Sequence, residues 1–312
     1  MSEADASAKL ILFGEHAVVY GRPALAIPLP TLRAHVWIRV NDRGEAGHIE
    51  IESEHFGASK WLHESSPDDP LAAIVKLSLD ELHLTPSEPL LITIHSDIPV
   101  GAGLGSGASV SIAIARALAR FAGADLTPET ASRLAFAVER IHHGSPSGID
   151  NTVIAFEQPV YYIRDRVLQP FTLNSRLHLI LADSGARTQT SMAVAGVRSR
   201  YQTDPQTYEG YFDQIGQLTD QAYALLQSGD DEPLGGLMTR NHALLRSLGV
   251  SSPELDVLVD AAIQAGAQGA KLSGAGMGGY MAALVTNALA GDVRRALEQA
   301  GGSGLLEVEV GK

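Results

Sequence analysis

Runs of apolar residues predict strands in the first third of the chain. Residues 8–13 (AKLILF) form an apolar run that ends at Gly14, and residues 33–40 (RAHVWIRV) alternate between apolar and polar side chains. The run LLITIH at 90–95 is a further predicted strand, and it leads into the glycine-dense segment PVGAGLGSGAS. Residues 70–84 instead have a helical pattern. This part of the chain therefore predicts strands and turns with one helix.

Helical periodicity replaces this pattern after residue 107. From Ala108 to Phe121, apolar side chains recur at the spacing of one helix face. Thr127 is the predicted cap of a second helix, which continues to the segment HHGSPSG. In that segment three helix-breaking residues favour a turn: Gly144, Pro146 and Gly148.

The rest of the chain mixes strands with long amphipathic helices. The predicted strands are 160–164, 177–182, the segment YMAALV and 305–310. The predicted helices are 190–201, 208–228, 233–247, 253–265 and 288–300. Because strands and helices do not alternate strictly, the pattern favours an α+β fold. We expect two domains, 1–170 and 171–312.

Composition and charge mainly exclude classes of protein. The 312 residues include 36 acids and 23 bases, and the resulting net charge of −13 disfavours nucleic-acid binding. The chain has no cysteine, which excludes disulfides, thiolate nucleophiles and cysteine-based zinc sites. The sequence has no basic signal-peptide start and no apolar stretch near the ~20 residues of a membrane helix. We therefore expect a soluble, cytoplasmic protein without a membrane or nucleic-acid partner.

The loop GAGLGSG at 101–107 is the first candidate for chemistry. It lies between a predicted strand and a predicted helix, where backbone N–H groups and the positive helix end favour a phosphate. The alternative is a plain tight turn with small residues. The Walker sequence GxxxxGK[ST] is absent. A loose dinucleotide fingerprint at Gly103, Gly105 and Ala108 leaves a nicotinamide enzyme as an alternative, although a helix is predicted where that motif needs a strand.

Charged residues at two other places are further candidates. Asp150 follows Glu139 by eleven residues, beyond a rigid turn, so the two carboxylates can return to one site. There one could bind Mg²⁺ and the other could lie near an attacking hydroxyl. Alternatively, they are an ordinary solvated helix residue and a turn or cap residue. Lys9 begins an apolar strand, where a cation is more often exposed than catalytic, and Glu15 and His16 lie in the following turn.

Three segments together resemble the motifs of the GHMP small-molecule kinases. KLILFGEHAVVYG, PVGAGLGSGAS and KLSGAGMGG occur in the family's order and roughly at its spacing, so the resemblance spans nearly the whole chain. Within that superfamily, GEHAVVYG, HHGSPSGIDN and DSGARTQT are most similar to the mevalonate kinases. The resemblance implies a two-domain fold with the active site in the cleft between domains, and the phosphate loop in the N-terminal domain. It also implies ATP-dependent phosphorylation of the 5-hydroxyl of mevalonate, in isoprenoid biosynthesis.

The resemblance also implies a role for each candidate residue. Asp150 matches the catalytic carboxylate, and Lys9 matches the cation that keeps this group ionised and contacts the transferring phosphoryl group. Mg²⁺ would be held by Glu139 and Ser106. The ATP phosphates would be bound by Gly101, Ala102, Gly103, Leu104, Gly105, Ser106 and Gly107. Substrate contacts are implied for Glu15, His16 and Thr190. We expect Arg187 to pair with the mevalonate carboxylate, and residues 274–278 to line the same cleft.

One position departs from the family pattern. The second motif usually has the sequence GLGSS, whose second serine helps to bind Mg²⁺, but this chain has Gly107 there. Ser106, a water molecule or Ser109 would have to replace that ligand. Three alternatives stay open: another GHMP activity, such as a phosphomevalonate kinase or a mevalonate 3-kinase or decarboxylase; a catalytically silent binding paralogue; and a dinucleotide-dependent oxidoreductase. A homodimer is also an open expectation.

Overall fold

Two packed units share the chain, and each contains segments that are far apart in sequence. The computed structural model describes residues 1–54, 57–143 and 146–311. Unit 1 contains Met1–Ala8, Pro30–Pro99 and Gly105–Glu157. Unit 2 contains Lys9–Leu29, Val100–Leu104 and Gln158–Lys312. The expected domain ranges 1–170 and 171–312 stay a prediction.

Unit 1 contains a sheet whose strands follow the predicted alternation. The strands in this part of the chain are β1 (Ser2–Phe13), β2 (Ala24–Val40), β3 (Ile49–Ser53), β4 (Ala58–Trp61) and β5 (Leu90–Ser96), of which β1 after Ala8 and β2 before Pro30 belong to unit 2. The strand order is β4-β3-β5-β2, with β3 and β5 parallel and the other two pairs antiparallel. Along β2, Ala34, Val36 and Ile38 are buried while the residues between them are partly exposed, which confirms the alternation in RAHVWIRV.

Four α-helices are present among the described residues of unit 1. They are α1 (Pro70–Glu81), α2 (Ser106–Ala122), α3 (Pro128–His143) and α4 (Ile149–Phe156). The predicted cap of α3 is confirmed, because the Thr127 hydroxyl accepts a hydrogen bond from the Thr130 N–H at 3.2 Å. Helix α4 was not predicted. Gly144 of the predicted turn lies outside the described residues, whereas Gly148 has a left-handed φ of 84° and α4 begins directly after it.

Unit 2 is built on a second sheet. The strands that lie wholly in unit 2 are β6 (Val160–Ile163), β7 (Val167–Pro170), β8 (Leu177–Asp183), β9 (Gly269–Leu272), β10 (Tyr280–Leu284) and β11 (Ser303–Val310). Strands β8 to β11 form an antiparallel sheet in the order β11-β8-β10-β9. Strand β6 pairs with the first residues of β2 and with β7.

The helices of unit 2 enclose its hydrophobic core. They are α5 (Thr190–Thr203), α6 (Pro205–Ser228), α7 (Leu234–Ser247), α8 (Pro253–Gln264) and α9 (Ala290–Gln299). Phe212 and Ile215 of α6 are fully buried in the same cluster as Leu272 and Met281 of the sheet. The five helices predicted for the C-terminal half are therefore confirmed. None of the helices in the described part of the chain is long and apolar enough to span a membrane.

The short strand β9 has no apolar signature of its own because its backbone passes close to α7. A Cβ atom placed on Gly269 would lie 1.9 Å from the Gly235 carbonyl oxygen, so only glycine fits there. The segment KLSGAGMGG therefore begins as a strand, at Lys271 and Leu272, before it becomes a loop. The mixture of helices and sheets confirms the α+β class.

Candidate active site

Lys9 is buried in β1 and contacts the glycine loop of its own unit. Only 2% of its surface is exposed, so the expectation of an exposed cation is wrong. Its Nζ donates to the Gly103 carbonyl oxygen at 2.9 Å, and its N–H donates to the Leu104 carbonyl oxygen at 3.0 Å. Gly103 has a φ of 78°, a conformation that favours glycine. Because burying an ammonium group is unfavourable unless it has partners, this position indicates a built polar site.

The glycine-rich segment KLSGAGMGG of unit 2 lies against this loop. A Cβ atom on Gly274 would lie 3.3 Å from Gly103 Cα, and one on Gly279 would lie 3.3 Å from the Ala102 carbonyl oxygen. The two backbones can approach this closely because no side chains separate them. A surface of bare backbone amides suits a phosphate group, which accepts N–H bonds from several directions.

The first turn of α2 in unit 1 carries the rest of the predicted phosphate loop. Gly105 precedes the helix in a left-handed conformation and contributes no side-chain cap, while Ser106 and Gly107 are the first two helical residues. The first N–H groups of a helix lack acceptors within the helix, so this end can donate to an anion. Ser109 is fully buried, and its hydroxyl lies 2.8 Å from the Ser7 carbonyl oxygen and 2.9 Å from that of Gly105. Ser109 therefore fastens α2 to its own unit.

The turn after β1 is held by the segment KLSGAGMGG. Glu15 is 1% exposed and forms an ion pair with Lys271, and its other oxygen accepts a hydrogen bond from Asn241 Nδ2 at 3.2 Å. The Nε2 atom of His16 lies 2.9 Å from the Ala275 carbonyl oxygen. Since a carbonyl only accepts, this bond assigns the proton to Nε2 and leaves Nδ1 of His16 as an acceptor.

The segment DSGARTQT packs against the segment KLSGAGMGG. The Gly279 N–H donates to the Ala186 carbonyl oxygen and the Thr188 hydroxyl donates to the Met277 carbonyl oxygen, at 3.0 and 2.8 Å. Thr190 begins α5 and is exposed. Unit 2 therefore brings together Lys9, the turn with Glu15 and His16, residues 101–104 and both later motifs.

Arg187 forms a two-point contact with a neighbouring carboxylate. Its Nη1 and Nη2 atoms donate to the two carboxylate oxygens of Asp183 at 2.7 and 2.5 Å, and Nη1 also donates to the Ala186 carbonyl oxygen. Partial burial raises the pKa of Asp183, but the bonds from Arg187 and from the Gly185 N–H outweigh this and lower that pKa overall. These bonds use three of the five N–H groups of the guanidinium.

The candidate carboxylates Glu139 and Asp150 lie in unit 1. Glu139 is partly exposed near the end of α3, and Asp150 is partly exposed in the first turn of α4. The neighbour Asn151 is buried and donates to the Ser132 hydroxyl on α3 at 2.7 Å. The Thr152 hydroxyl donates to the Gly148 carbonyl oxygen at 2.7 Å. These bonds fix α4 and hence the place of Asp150, which is helical rather than in a loop.

Comparisons with known proteins identify the family. Models of the N-terminal and C-terminal domains of GHMP kinases match residues 71–158 and 222–303. The mevalonate kinase of Pyrococcus horikoshii is 38% identical over 96% of this chain and 92% of its own length. That of Methanothermobacter thermautotrophicus is 36% identical over 90% and 89%. The crystal structure of Methanococcus jannaschii mevalonate kinase superposes with a TM-score of 0.87 at 25% identity, and covers 99% of this chain and 98% of that one. The chain belongs to the mevalonate kinase family of GHMP kinases.

Family membership makes the protein an ATP-dependent kinase with an alcohol group as acceptor. The structure shows three residues that the sequence analysis missed, each in contact with a predicted site residue: Lys271, Asn241 and Asp183. Lys271 carried a usable signal, because it is a lone cation in the strand of the third motif. Asn241 lies in the middle of α7, and no sequence pattern there indicated a role in the site.

The residues predicted to hold Mg²⁺ have the right donor chemistry. A carboxylate and a hydroxyl are hard oxygen ligands, and enzymes commonly hold Mg²⁺ through one or two carboxylates plus substrate phosphates. Within residues 1–54, 57–143 and 146–311, no group of three or more His, Asp or Glu side chains is arranged to hold a metal by itself. Glu139 and Ser106 therefore fit the ion only as partial ligands, with the nucleotide supplying others.

Two buried histidines should make the folded protein less stable in acid. Burial lowers the pKa of His16 to about 4, and it lowers the pKa of His242 to about 4 in spite of the nearby Asp256 carboxylate. The unfolded chain binds protons at these residues near pH 6.5, whereas the folded protein does not. The free energy of unfolding should therefore decrease by about 3 kcal/mol for each histidine as the pH falls from about 6.5 to about 4.

Urea unfolding at several pH values measures this effect. His242→Gln should flatten the pH dependence of the free energy of unfolding by about half. His63→Gln, at an exposed histidine, is the control and should leave the slope unchanged. An equal slope in the wild type and His242→Gln would contradict the assignment.

Proposed function

We propose that the protein transfers the γ-phosphoryl group of ATP to the 5-hydroxyl of mevalonate, giving 5-phosphomevalonate and ADP. The observation that carries this proposal is the buried Lys9 in contact with the glycine loop, in a chain 38% identical to a mevalonate kinase over nearly its whole length. A crystal structure of the mevalonate kinase of L. major with R-mevalonate has a TM-score of 0.85 to this chain at 28% identity, which supports the same acceptor.

Asp150 is the proposed acceptor of the hydroxyl proton. As the 5-hydroxyl oxygen bonds to the γ-phosphorus, the bond from that phosphorus to the β-phosphate oxygen breaks and the hydroxyl proton moves to the carboxylate. The fixed start of α4 supports this role, because the two residues that follow Asp150, Asn151 and Thr152, are both held by side-chain hydrogen bonds. Such positioning accounts for much of the rate acceleration in phosphoryl transfer.

Lys9 is proposed to stabilise the charge on the transferring phosphoryl group. Its burial supports this role, because the field of a cation is much stronger where water is excluded. Residues 101–107 donate backbone N–H groups to the phosphates. Glu139 and Ser106 would hold Mg²⁺, and Ser106 or a water would supply the ligand that a serine in place of Gly107 would provide. Bound Mg²⁺ neutralises charge on the β- and γ-phosphates.

The acceptor is proposed to bind on the side of His16 and Arg187. The neutral His16 ring offers Nδ1 as an acceptor for a substrate hydroxyl, and Arg187 has N–H groups beyond those that Asp183 and Ala186 accept. Glu15 and Thr190 stay proposed members of this side of the site. A cytoplasmic location and a homodimer also stay proposals.

The test is the position of phosphate in the product. Purified protein with Mg-ATP and R-mevalonate should release ADP, and the phosphorus NMR signal should be a triplet from coupling to the two protons on C5. A singlet would indicate transfer to the tertiary 3-hydroxyl, and no product with mevalonate but product with phosphomevalonate would favour the alternative kinase. Titrating the protein with ATP and, separately, with NAD tests the oxidoreductase alternative, because binding of NAD rather than ATP would favour it.

Replacing Arg187 should weaken acceptor binding without affecting ATP. We expect Arg187→Met to raise KM for mevalonate about 10- to 100-fold, since a hydrogen bond to a charged group contributes about 1.5–3 kcal/mol. KM for ATP should change less than twofold. Arg176→Met, which removes an exposed arginine paired with Glu309 in the same unit, is the control. An unchanged KM for mevalonate in Arg187→Met would refute the contact.

A further inference from the structure

A fully buried ion pair lies in unit 2 and takes no part in the phosphoryl-transfer step proposed above. Lys271 and Glu15 each have 1% of the side chain exposed. Besides Glu15, the Lys271 Nζ donates to the Leu272 carbonyl oxygen at 2.8 Å and lies 3.4 Å from that of Ile11. Buried charges are unfavourable, and an apolar pair of similar size is often equally stable. The pair therefore calls for an explanation other than stability alone.

The contacts of this pair leave little capacity for a substrate. The three N–H groups of the Lys271 ammonium have three acceptors around them: the Glu15 carboxylate and two main-chain carbonyls. The second oxygen of Glu15 accepts from Asn241, whose own side chain is fully buried on α7. Both members of the pair are thus directed at the protein, which is the arrangement of positioning residues.

The pair holds a backbone turn that is unfavourable by itself. His16 has a φ of 60°, which is rare for a residue with a side chain. Gly14, two residues earlier, has a φ of 95°, and a Cβ atom there would lie 2.5 Å from the Pro23 carbonyl oxygen. Two consecutive residues of this turn contact the third motif: Glu15 through Lys271, and His16 through the Ala275 carbonyl. Strained conformations of this kind persist when surrounding contacts enforce them.

We propose that Lys271 and Glu15 form a positioning ion pair, which fixes the His16 turn on the third motif and thereby sets where the acceptor alcohol binds. This inference rests on the proposed function and deepens it. It reassigns Glu15 from direct substrate contact to an action through His16. It also adds Lys271, and Asn241 as the partner that orients the Glu15 carboxylate.

The test compares single and double substitutions. Glu15→Gln and Lys271→Met each leave one buried charge without its partner, so both should melt at clearly lower temperature. The double variant Glu15→Gln/Lys271→Met removes both charges at nearly constant volume and should regain most of the lost melting temperature. We nevertheless expect its KM for mevalonate to stay raised at least tenfold, with KM for ATP within twofold of the wild type. Lys271→Arg keeps the charge and should lie between the wild type and Lys271→Met in KM.

A second measurement does not depend on the acceptor. In protein with ¹⁵N-labelled histidine, the His16 ring signals, assigned with His16→Gln, should show a protonated Nε2 in the wild type. That pattern should be lost or exchange-broadened in the double variant. The control Arg176→Met/Glu309→Gln removes an exposed ion pair of unit 2 and should change neither KM nor the His16 signals.

The outcomes separate this inference from the proposed function. A wild-type protein that does not phosphorylate mevalonate refutes the function, while the histidine signals still test the pair. A double variant with wild-type KM and unchanged His16 signals overturns the inference, because the pair would then be structural only. A double variant that fails to fold also overturns it, since the pair would then be required for stability.

Discussion

Asp150→Asn should lower kcat by about 10²- to 10⁴-fold, the range that removal of a general base typically produces. Asparagine has nearly the same shape as aspartate but does not accept the proton of the acceptor hydroxyl. It also fits the first turn of α4, where the lost charge–dipole interaction contributes only about 0.3–1 kcal/mol. The fold and the binding of ATP should therefore change little, and the loss should appear in turnover.

The measurement is kcat together with the ATP dissociation constant and the melting temperature. Asp125→Asn, at an exposed carboxylate in the loop before α3, is the matched control and should retain wild-type turnover. Turnover within about threefold of the wild type in Asp150→Asn would remove this residue from the mechanism. A large loss of ATP binding would instead indicate a disturbed phosphate loop.

Gly276→Ala should be among the most destabilising substitutions in the third motif. Gly276 has a φ of 75°, and a Cβ atom there would lie 2.0 Å from the Val250 carbonyl oxygen. That carbonyl already accepts the Met277 N–H at 2.7 Å, so the loop cannot move away without breaking this bond. Backbone strain of about 1–3 kcal/mol and overpacking of about 1–3 kcal/mol together predict a loss of about 2–6 kcal/mol.

Gly123→Ala separates the two contributions. Gly123 has a similar φ of 66° at the end of α2, but a Cβ atom there would meet nothing within 4 Å. Its substitution should therefore lower the free energy of unfolding only through the strain of the left-handed conformation, by about 1–2 kcal/mol. Urea unfolding of the two variants measures the difference. Equal losses would mean that the Val250 contact relaxes and that overpacking at Gly276 contributes nothing.

Much of the fold could be predicted from local patterns. The alternation in RAHVWIRV, the apolar face from Ala108 to Phe121 and the cap at Thr127 are properties of neighbouring residues, and the structure confirms all three. Helix α4 was missed because it has only eight residues and begins after a glycine, so helical periodicity had too short a window. Strand β9 was missed because close contact with α7 replaces apolar residues by glycine.

The sequence predicted the residues of the candidate site better than it predicted their burial and their hydrogen-bond partners. The sequence motifs located Lys9, the phosphate loop and the third motif, and unit 2 brings these segments together. The pattern around Lys9 wrongly favoured an exposed side chain, because a strand pattern does not show which acceptors lie opposite a cation. The partners of Glu15 and Arg187 were also missed, although Asp183 lies only four residues from Arg187.

The sequence by itself determined the α+β class, most of the elements and the family, because these depend on local spacing and on motifs that occur within short segments. Tertiary structure alone decided that Lys9 is buried, that Glu15 pairs with Lys271 across 256 positions and that Asn241 joins them. The physical reason is that burial and charge pairing depend on which distant segments pack together, and residue spacing along the chain does not contain that information.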